Sequence, residues 1–290
     1  MDAVFTDTTT EKEFATKGYV VRPFLHQEEI RVLQQLYEKF PPELPSDFYA
    51  TVFSRNADYR RSVSDGIGAA IKPRLEALFP YHELCFAVFV TKRPKSKQGT
   101  LPLHRDYSFV EPNLHTAVHL WCPLVDVDEK NGCLRVVSGS HTLVDSPYAV
   151  NEYPPVFSHV MDLLSKKFTT AVPMAAGSVL AYESRLFHGS GENRSETVRP
   201  ACVVILLPKV VRPRVYVWNG VKPTTFDILE VTTDFLLQME RGTTISKPYP
   251  EGVSYLGSVD YPVDPLRPED LVALKAVQPR GWRRLMRWSR

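Results

Sequence analysis

The sequence predicts a mainly β fold with flanking helices, an antiparallel jelly roll. Short runs rich in Val, Phe, Leu and Trp occur at Leu84 to Thr91, Thr116 to Pro123, Cys133 to Val137, Ser178 to Tyr182 and Arg199 to Leu207. Each is bounded by Gly, Pro, Asn or Asp, the pattern of strands separated by turns. The central runs need no ten-residue helix between them, which argues for an antiparallel sandwich over a parallel α/β sheet. Asn131-Gly132 supplies two residues tolerant of positive φ, as a type I′ hairpin requires, with Val125 to Lys130 entering it and Cys133 to Val137 leaving.

Ahead of these runs, Gly18 to Val21 reads as a short strand. A helix through Ile30, Leu33, Leu36 and Tyr37 follows, with Glu28 and Glu29 favouring its positive end. Pro41, Pro42 and Pro45 break the chain, and a second helix between Ile67 and Leu78 is expected to kink or restart at Pro73. Beyond Pro208 the pattern weakens into prolines and polar residues, with a helix expected from Phe226 to Glu240. Arginines interleave with Trp282, Leu285, Met286 and Trp288 from Arg280 to Arg290. That basic tail suits contact with an anionic membrane surface or a partner, although packing of its aromatics on the chain itself is the more ordinary role.

The 290 residues carry 43% hydrophobic and 23% charged side chains, a globular composition able to bury a core. With no linker or repeat visible, one domain over 1–290 is expected, with a β core at about 84–208, a helical support at 11–80 and an extension at 209–290. Thirty-five basic against 33 acidic residues leave a formal charge of +2, which excludes a global field for nucleic acid. Cys85, Cys122, Cys133 and Cys202 lack CxxC spacing and read as reduced core residues. The opening residues show no signal-peptide pattern, and the run Ala201 to Leu207 is too short to span a bilayer, so a cytoplasmic protein is expected.

The chemistry concentrates in a few positions. In an extended His104-Arg105-Asp106 the imidazole and the carboxylate share a face while Arg105 points away. His188, shortly after the Ser178 to Tyr182 run, is the best third ligand. Two imidazoles and one carboxylate on one face of iron(II) leave open positions for a bidentate cosubstrate and dioxygen. Arg199, eleven residues after His188, opens an apolar strand, where a guanidinium stays charged and grips a carboxylate through two hydrogen bonds.

These residues, together with Trp121, Lys130-Asn131-Gly132-Cys133-Leu134, Ser138-Gly139-Ser140-His141 and Phe187-His188-Gly189-Ser190, resemble the phytanoyl-CoA dioxygenase family of iron(II)/2-oxoglutarate oxygenases. The resemblance is densest from Leu84 to Pro208. It implies a cupin-like double-stranded β-helix with His104, Asp106 and His188 on iron(II), Arg199 on the 2-oxoglutarate C5 carboxylate, and Ser190 and Trp121 in the same pocket. Ala201 departs from the Ser or Thr that many 2-oxoglutarate oxygenases place two residues after the arginine, so a second hydroxyl contact falls to Ser190. The Ser138 to His141 motif is a structural turn in the family. Asp106 fills the position that halogenases of the superfamily leave open.

The implied reaction consumes dioxygen, releases succinate and carbon dioxide, and oxidises a C–H bond of a small organic molecule. Hydroxylation, desaturation, epoxidation and ring formation all belong to this chemistry. Tyr107, Phe109, His119 and Arg185 are the candidates for facing the substrate, each with packing as its alternative role. His115 and His119 sit in a segment read as strand, which sets them too far apart to share a metal. Two other readings use the same residues: a metal-binding cupin without oxygenase chemistry, such as an isomerase, and a non-catalytic binding module. Neither needs the cosubstrate anchor that Arg199 and Ser190 provide.

Overall fold

Strands that are apolar on both faces must be covered on both faces, and this requirement organises the molecule. The computed structural model describes residues 3–43, 46–151, 157–240, 245–261, 266–267, 270–272 and 274–277. Its elements run α1 (Thr8–Lys17), β1 (Tyr19–Pro23), α2 (Gln27–Lys39), β2 (Phe48–Ala50), α3 (Ala57–Leu78), β3 (His82–Lys92), β4 (Leu101–His104), β5 (Val118–Pro123) and β6 (Leu134–Val137). There follow α4 (Ser158–Lys167), β7 (Thr169–Val172), β8 (Ser178–Glu183), β9 (His188–Ser190), β10 (Arg199–Pro208), β11 (Arg214–Trp218), β12 (Thr225–Glu230), α5 (Thr233–Gln238) and β13 (Ser254–Asp260). The sheets have orders β1-β8-β5-β10-β3-β2, β4-β9-β6-β7 and β11-β12-β13.

The six-stranded sheet is the middle layer. Val118, Leu120 and Cys122 of β5, Val179 and Ala181 of β8, and Cys202, Val204 and Leu206 of β10 pack against Ile30 and Leu33 of α2 and Val63, Ile67 and Ile71 of α3. The alternate residues Trp121, Leu180, Tyr182 and Ala201 face Leu134 and Val136 of the four-stranded sheet and Val172 of β7. The period-2 alternation of the strands thus assigns every second side chain to the space between the sheets. Each fully buried Leu, Ile or Val contributes roughly 1.5–3 kcal/mol relative to exposure.

The N-terminal helices form as their caps dictate. Asp7 Oδ2 accepts from Thr10 N at 2.7 Å, and Glu29 Oε2 accepts from His26 N at 2.7 Å. Gly18, at φ +78°, ends α1, so the strand begins at Tyr19. The helix expected from Ile67 starts at Ala57, where Asn56 Oδ1 caps Tyr59 N at 3.1 Å, and it continues through Pro73, which lies on its exposed side.

Two expectations are corrected. Asn131-Gly132 does not close a type I′ hairpin, because β5 and β6 belong to different sheets and the chain crosses between them. Only Gly132 takes positive φ (+81°). The Asn131 and Asp128 side chains organise the crossing by binding the backbone at Asp126, Asp128 and Lys130. The helix from Phe226 to Glu240 is instead β12 followed by short α5. Phe226 to Glu230 pair with β11 on one side and β13 on the other, and only at Thr232, whose hydroxyl accepts from Phe235 N, does a helix start. Two-sided sheet pairing outweighs helical propensity there.

The β core and the extension share a cluster that joins Cys85, Phe109, Ile205 and Leu207 to Val215, Val217, Leu229 and Leu236. Arg60 of α3, 2% exposed, reinforces the junction by donating to the Leu237 and Gln238 carbonyls at 2.7 and 2.8 Å. The tail from Arg280 to Arg290 lies outside the described residues. Among the described residues no helix is long and apolar enough to cross a membrane.

Candidate metal centre

Adjacent short strands bring the two histidines together. β4 pairs with β9 so that His104 stands directly opposite His188, their ring centroids 4.4 Å apart. Gly189 permits this approach, since a Cβ there would lie 2.7 Å from the Leu101 carbonyl oxygen. Phe187 N donates to Ser140 Oγ at 2.9 Å and Val137 N donates to the Phe187 carbonyl, so the Ser138 to His141 turn pins the entry to β9. Beyond β4, Asp106 N donates to Ser184 O at 3.2 Å, which seats the carboxylate between the sheets. Arg105 points the other way, 3% exposed, with its guanidinium 5.4 Å from the Phe157 ring and its Nη1 donating to Ser146 O.

Ligand atoms of His104, Asp106 and His188 lie within 4.8 Å of one another. Asp106 Oδ1 is 3.8 Å from His104 Nε2, and Asp106 Oδ2 is 3.7 Å from His188 Nε2. Each imidazole places its Nδ1 on a backbone carbonyl, His104 on Pro102 at 2.8 Å and His188 on Leu186 at 3.0 Å. Those bonds put the proton on Nδ1 and turn the Nε2 lone pair toward the shared centre. Burial, reinforced by His104, lowers the His188 pKa to about 4, so this imidazole is neutral at physiological pH. Burial acts to raise the Asp106 pKa, but the His119 and His188 rings outweigh it and hold the carboxyl well below the usual carboxylate range. Two imidazole nitrogens and one carboxylate oxygen fit a divalent transition metal.

Deeper between the sheets lie two basic side chains. Arg199 of β10 and Lys92 of β3 are register partners, 1% and 0% exposed. Lys92 Nζ donates to the Ser190, Gly99 and Gly191 carbonyls. Burial, and then the Arg199 charge, lowers its pKa to about 7. Arg199 lies 5.3 Å from the Trp121 ring, and its Nε and Nη1 have no hydrogen-bond partner. Burial lowers its pKa only to about 10, so it stays charged. A buried guanidinium with unmet donors beside a partly protonated lysine amine is costly unless an anion joins it. Ser190, buried on β9 opposite Leu101 and Leu134, stands beside this pair through its carbonyl contact with Lys92.

The candidates for facing the substrate occupy different surroundings. Tyr107, partly buried and one residue after Asp106, stacks on Tyr148 at 5.6 Å and 21°, while the His104 and Asp106 side chains are 27% and 24% exposed. Phe109 packs edge-on to Phe86 in the cluster that holds the extension. Arg185 is bound to buried Glu183 at 3.0 and 3.1 Å. His119 shares the inner face of β5 with Trp121, but its Nδ1 contacts Asp106 Oδ2 at 2.7 Å. His115 lies outside β5, in the turn before it, where its N donates to Glu111 O. The sequence reading passed over Lys92 and Tyr182. Both stand at the end of an apolar strand on its inward-facing register, a signal that i, i+2 counting from Val90 and Leu180 brings out.

Known proteins show similarity to this arrangement at several levels. Residues 14–201 match the family model described as Phytanoyl-CoA dioxygenase (PhyH). The Arabidopsis thaliana phytanoyl-CoA dioxygenase is 31% identical over 117 residues, 40% of this chain and 41% of that protein. The bovine peroxisomal phytanoyl-CoA dioxygenase is 28% identical over 125 residues, 39% of this chain and 36% of that protein. The alignment therefore spans only about two fifths of the length of these relatives. Among solved structures, the non-heme alpha ketoglutarate dependent carbocyclase SnoK from nogalamycin biosynthesis superposes with a TM-score of 0.54 at 19% identity, covering 87% of this chain and 96% of that one. The epimerase SnoN from the same biosynthesis gives a TM-score of 0.52 at 19% identity, covering 73% of this chain and 87% of that one. These two likenesses show the jelly-roll fold. The match from 14 to 201 contains His104, Asp106, His188 and Arg199, and the chain belongs to the phytanoyl-CoA dioxygenase family.

Proposed function

We infer that this chain is an iron(II)- and 2-oxoglutarate-dependent dioxygenase that oxidises, chiefly by hydroxylation, a C–H bond of a small organic molecule or natural-product intermediate. His104, Asp106 and His188 are the metal ligands, and Arg199, Ser190 and Trp121 form the cosubstrate seat. The observation that carries the reading is the Arg199 guanidinium, whose buried Nε and Nη1 lack hydrogen-bond partners, on the same sheet face that looks toward the three ligand residues. A metal-binding cupin of another kind gives no reason to keep that cation. Iron(II) with 2-oxoglutarate supplies, when bound, the oxidative decarboxylation that yields succinate and carbon dioxide and drives attack on the substrate.

The residues prepare this chemistry by holding charge and excluding water. His188, already neutral, offers its Nε2 without first losing a proton. Arg199 can meet a carboxylate with two parallel hydrogen bonds that replace its unmet ones, and the Trp121 ring forms a flat apolar wall beside it. Ala201, buried between the sheets, leaves the hydroxyl contact to Ser190. At the more open side, Tyr107 with Tyr148 is the best-placed pair to hold a substrate. The shared apolar cluster supports treating 1–290 as one catalytic unit, and four buried free cysteines support a cytoplasmic setting.

The reading is tested by adding iron(II) and 2-oxoglutarate anaerobically and recording the weak visible charge-transfer band of the chelate, then admitting oxygen and measuring succinate. A folded, metal-loaded protein without the band refutes the assignment. A screen of small molecules for succinate release coupled to gain of one oxygen then identifies the substrate.

A further inference from the structure

The geometry points to His119 and Tyr182 as a pair of positioning residues that occupy one oxygen of Asp106 and so make its carboxylate a one-oxygen metal ligand. This rests on the ligand assignment proposed above. Tyr182 Oη donates to Asp106 Oδ2 at 2.8 Å, and His119 Nδ1 lies 2.7 Å from the same oxygen. Both residues are 3% exposed and sit on neighbouring strands, where His119 of β5 is the register partner of Tyr182 of β8. The two strands therefore deliver both donors to a single point.

The stoichiometry of lone pairs gives the contact its meaning. A carboxylate oxygen has two in-plane acceptor sites, so two donors fill Oδ2 and leave Oδ1 for a cation. His119 Nε2 is buried with no partner. An acceptor without a donor costs less there than a stranded N–H, which puts the proton on Nδ1 and makes His119 the donor to Asp106. Neither residue replaces a ligand. Together they stop Asp106 from turning both oxygens onto the ion, which would fill a position that cosubstrate or dioxygen needs.

Cobalt(II), added alone to the full chain, tests this because its visible bands report coordination number without turnover. Tyr182→Phe and His119→Leu are each expected to weaken cobalt(II) binding about ten-fold, the lower end of what loss of such a partner costs. Their spectra should weaken toward a higher-coordinate form, and the double variant should show this most. His119→Asn, whose amide N–H falls near the Nδ1 position, should recover affinity and spectrum, and far-ultraviolet circular dichroism checks that each variant is folded. Wild-type affinity and bands in folded Tyr182→Phe and His119→Leu overturn the proposal, as does a His119→Asn no better than His119→Leu. His188→Ala runs alongside: if it keeps the wild-type cobalt(II) spectrum, the ligand set fails and the clamp falls with it. Loss there with unchanged Tyr182→Phe and His119→Leu refutes the clamp alone.

Discussion

The two sheets of the sandwich divide the labour. The six-stranded sheet is built around β3, β5, β8 and β10, six to eleven residues long, with β5 wholly buried and β10 nearly so. The four-stranded sheet consists of strands three or four residues long, and on β4 and β9 it carries both histidines and Ser190. The long strands anchor the helices and hold the basic side chains of Lys92 and Arg199 rigidly; the short ones bring donor atoms to the gap. Length and burial buy the rigidity that a site of this kind needs, while short strands let the chain leave the sheet just where a ligand must point inward.

That contrast predicts how variants should separate. The largest effect is expected from His188→Ala on the short strands. Succinate production should fall at least about a hundred-fold and the charge-transfer band should vanish, with the melting temperature of the metal-free protein little changed. Unchanged turnover would mean that the ligand assignment is wrong. Leu120→Ala on the long strand, fully buried against the helices, should do the opposite. It should cost about 2–5 kcal/mol in denaturant unfolding while the folded fraction keeps its activity per bound metal. A selective loss of activity without a loss of stability would break the division.

Arg199→Met sharpens the comparison, because this residue belongs to the structural sheet but is proposed to seat the cosubstrate. Removing a buried, partly unpaired charge should leave the cosubstrate-free protein at least as stable as before, whereas the thermal stabilisation produced by 2-oxoglutarate should disappear and the concentration needed for turnover should rise. A large drop in the stability of the cosubstrate-free protein would show that Arg199 is a structural bridge.

The smallest effect is expected in the third sheet. Asp227 of β12 is 4% exposed and accepts from Asn219, Ser258, Tyr249 and Lys247. Burial acts to raise its pKa, but these contacts outweigh burial and lower it from 3.8 to about 2. A depressed carboxyl contributes stability above its unfolded pKa and loses it as pH falls through the folded one, so about 2 kcal/mol should fade between pH 4 and pH 2. Asp227→Asn should remove that component of the acid dependence, as followed by unfolding at stepped pH, and leave succinate production intact. Loss of activity would show that the extension reaches into the site.

Much of this was legible in the chain because it rests on short-range rules. The long runs became the six-stranded sheet nearly at the predicted bounds, since apolar strands of that composition have few alternatives. His104 with Asp106 was readable from i, i+2 spacing, and Arg199 from its place at the head of an apolar strand. β4 and β7 were missed because Leu101–His104, with its proline, and Thr169–Val172, mostly half-buried, form no apolar run, and the true pairing of β9 depends on Gly189 meeting Leu101 across sequence. β12 was read as helix because one of its two partners, β13, lies some thirty residues on, and the nearer one, β11, was not read as a strand either. The same limit applied to His119. Its inward face followed from alternation, but its contact with Asp106 needed the crossing of β5 over the end of β4, which no local pattern encodes.

The register match of Lys92 with Arg199 has one more implication. If 2-oxoglutarate seats on Arg199 as proposed, a dicarboxylate entering this dry interior would offset the buried guanidinium and favour the protonated form of Lys92 beside it. Persistence of the polypeptide, and not only its turnover rate, would then follow the supply of 2-oxoglutarate, because every opening that exposes the chain to proteolysis must first expel the anion. The catalyst would register the carbon status of its surroundings through its own lifetime.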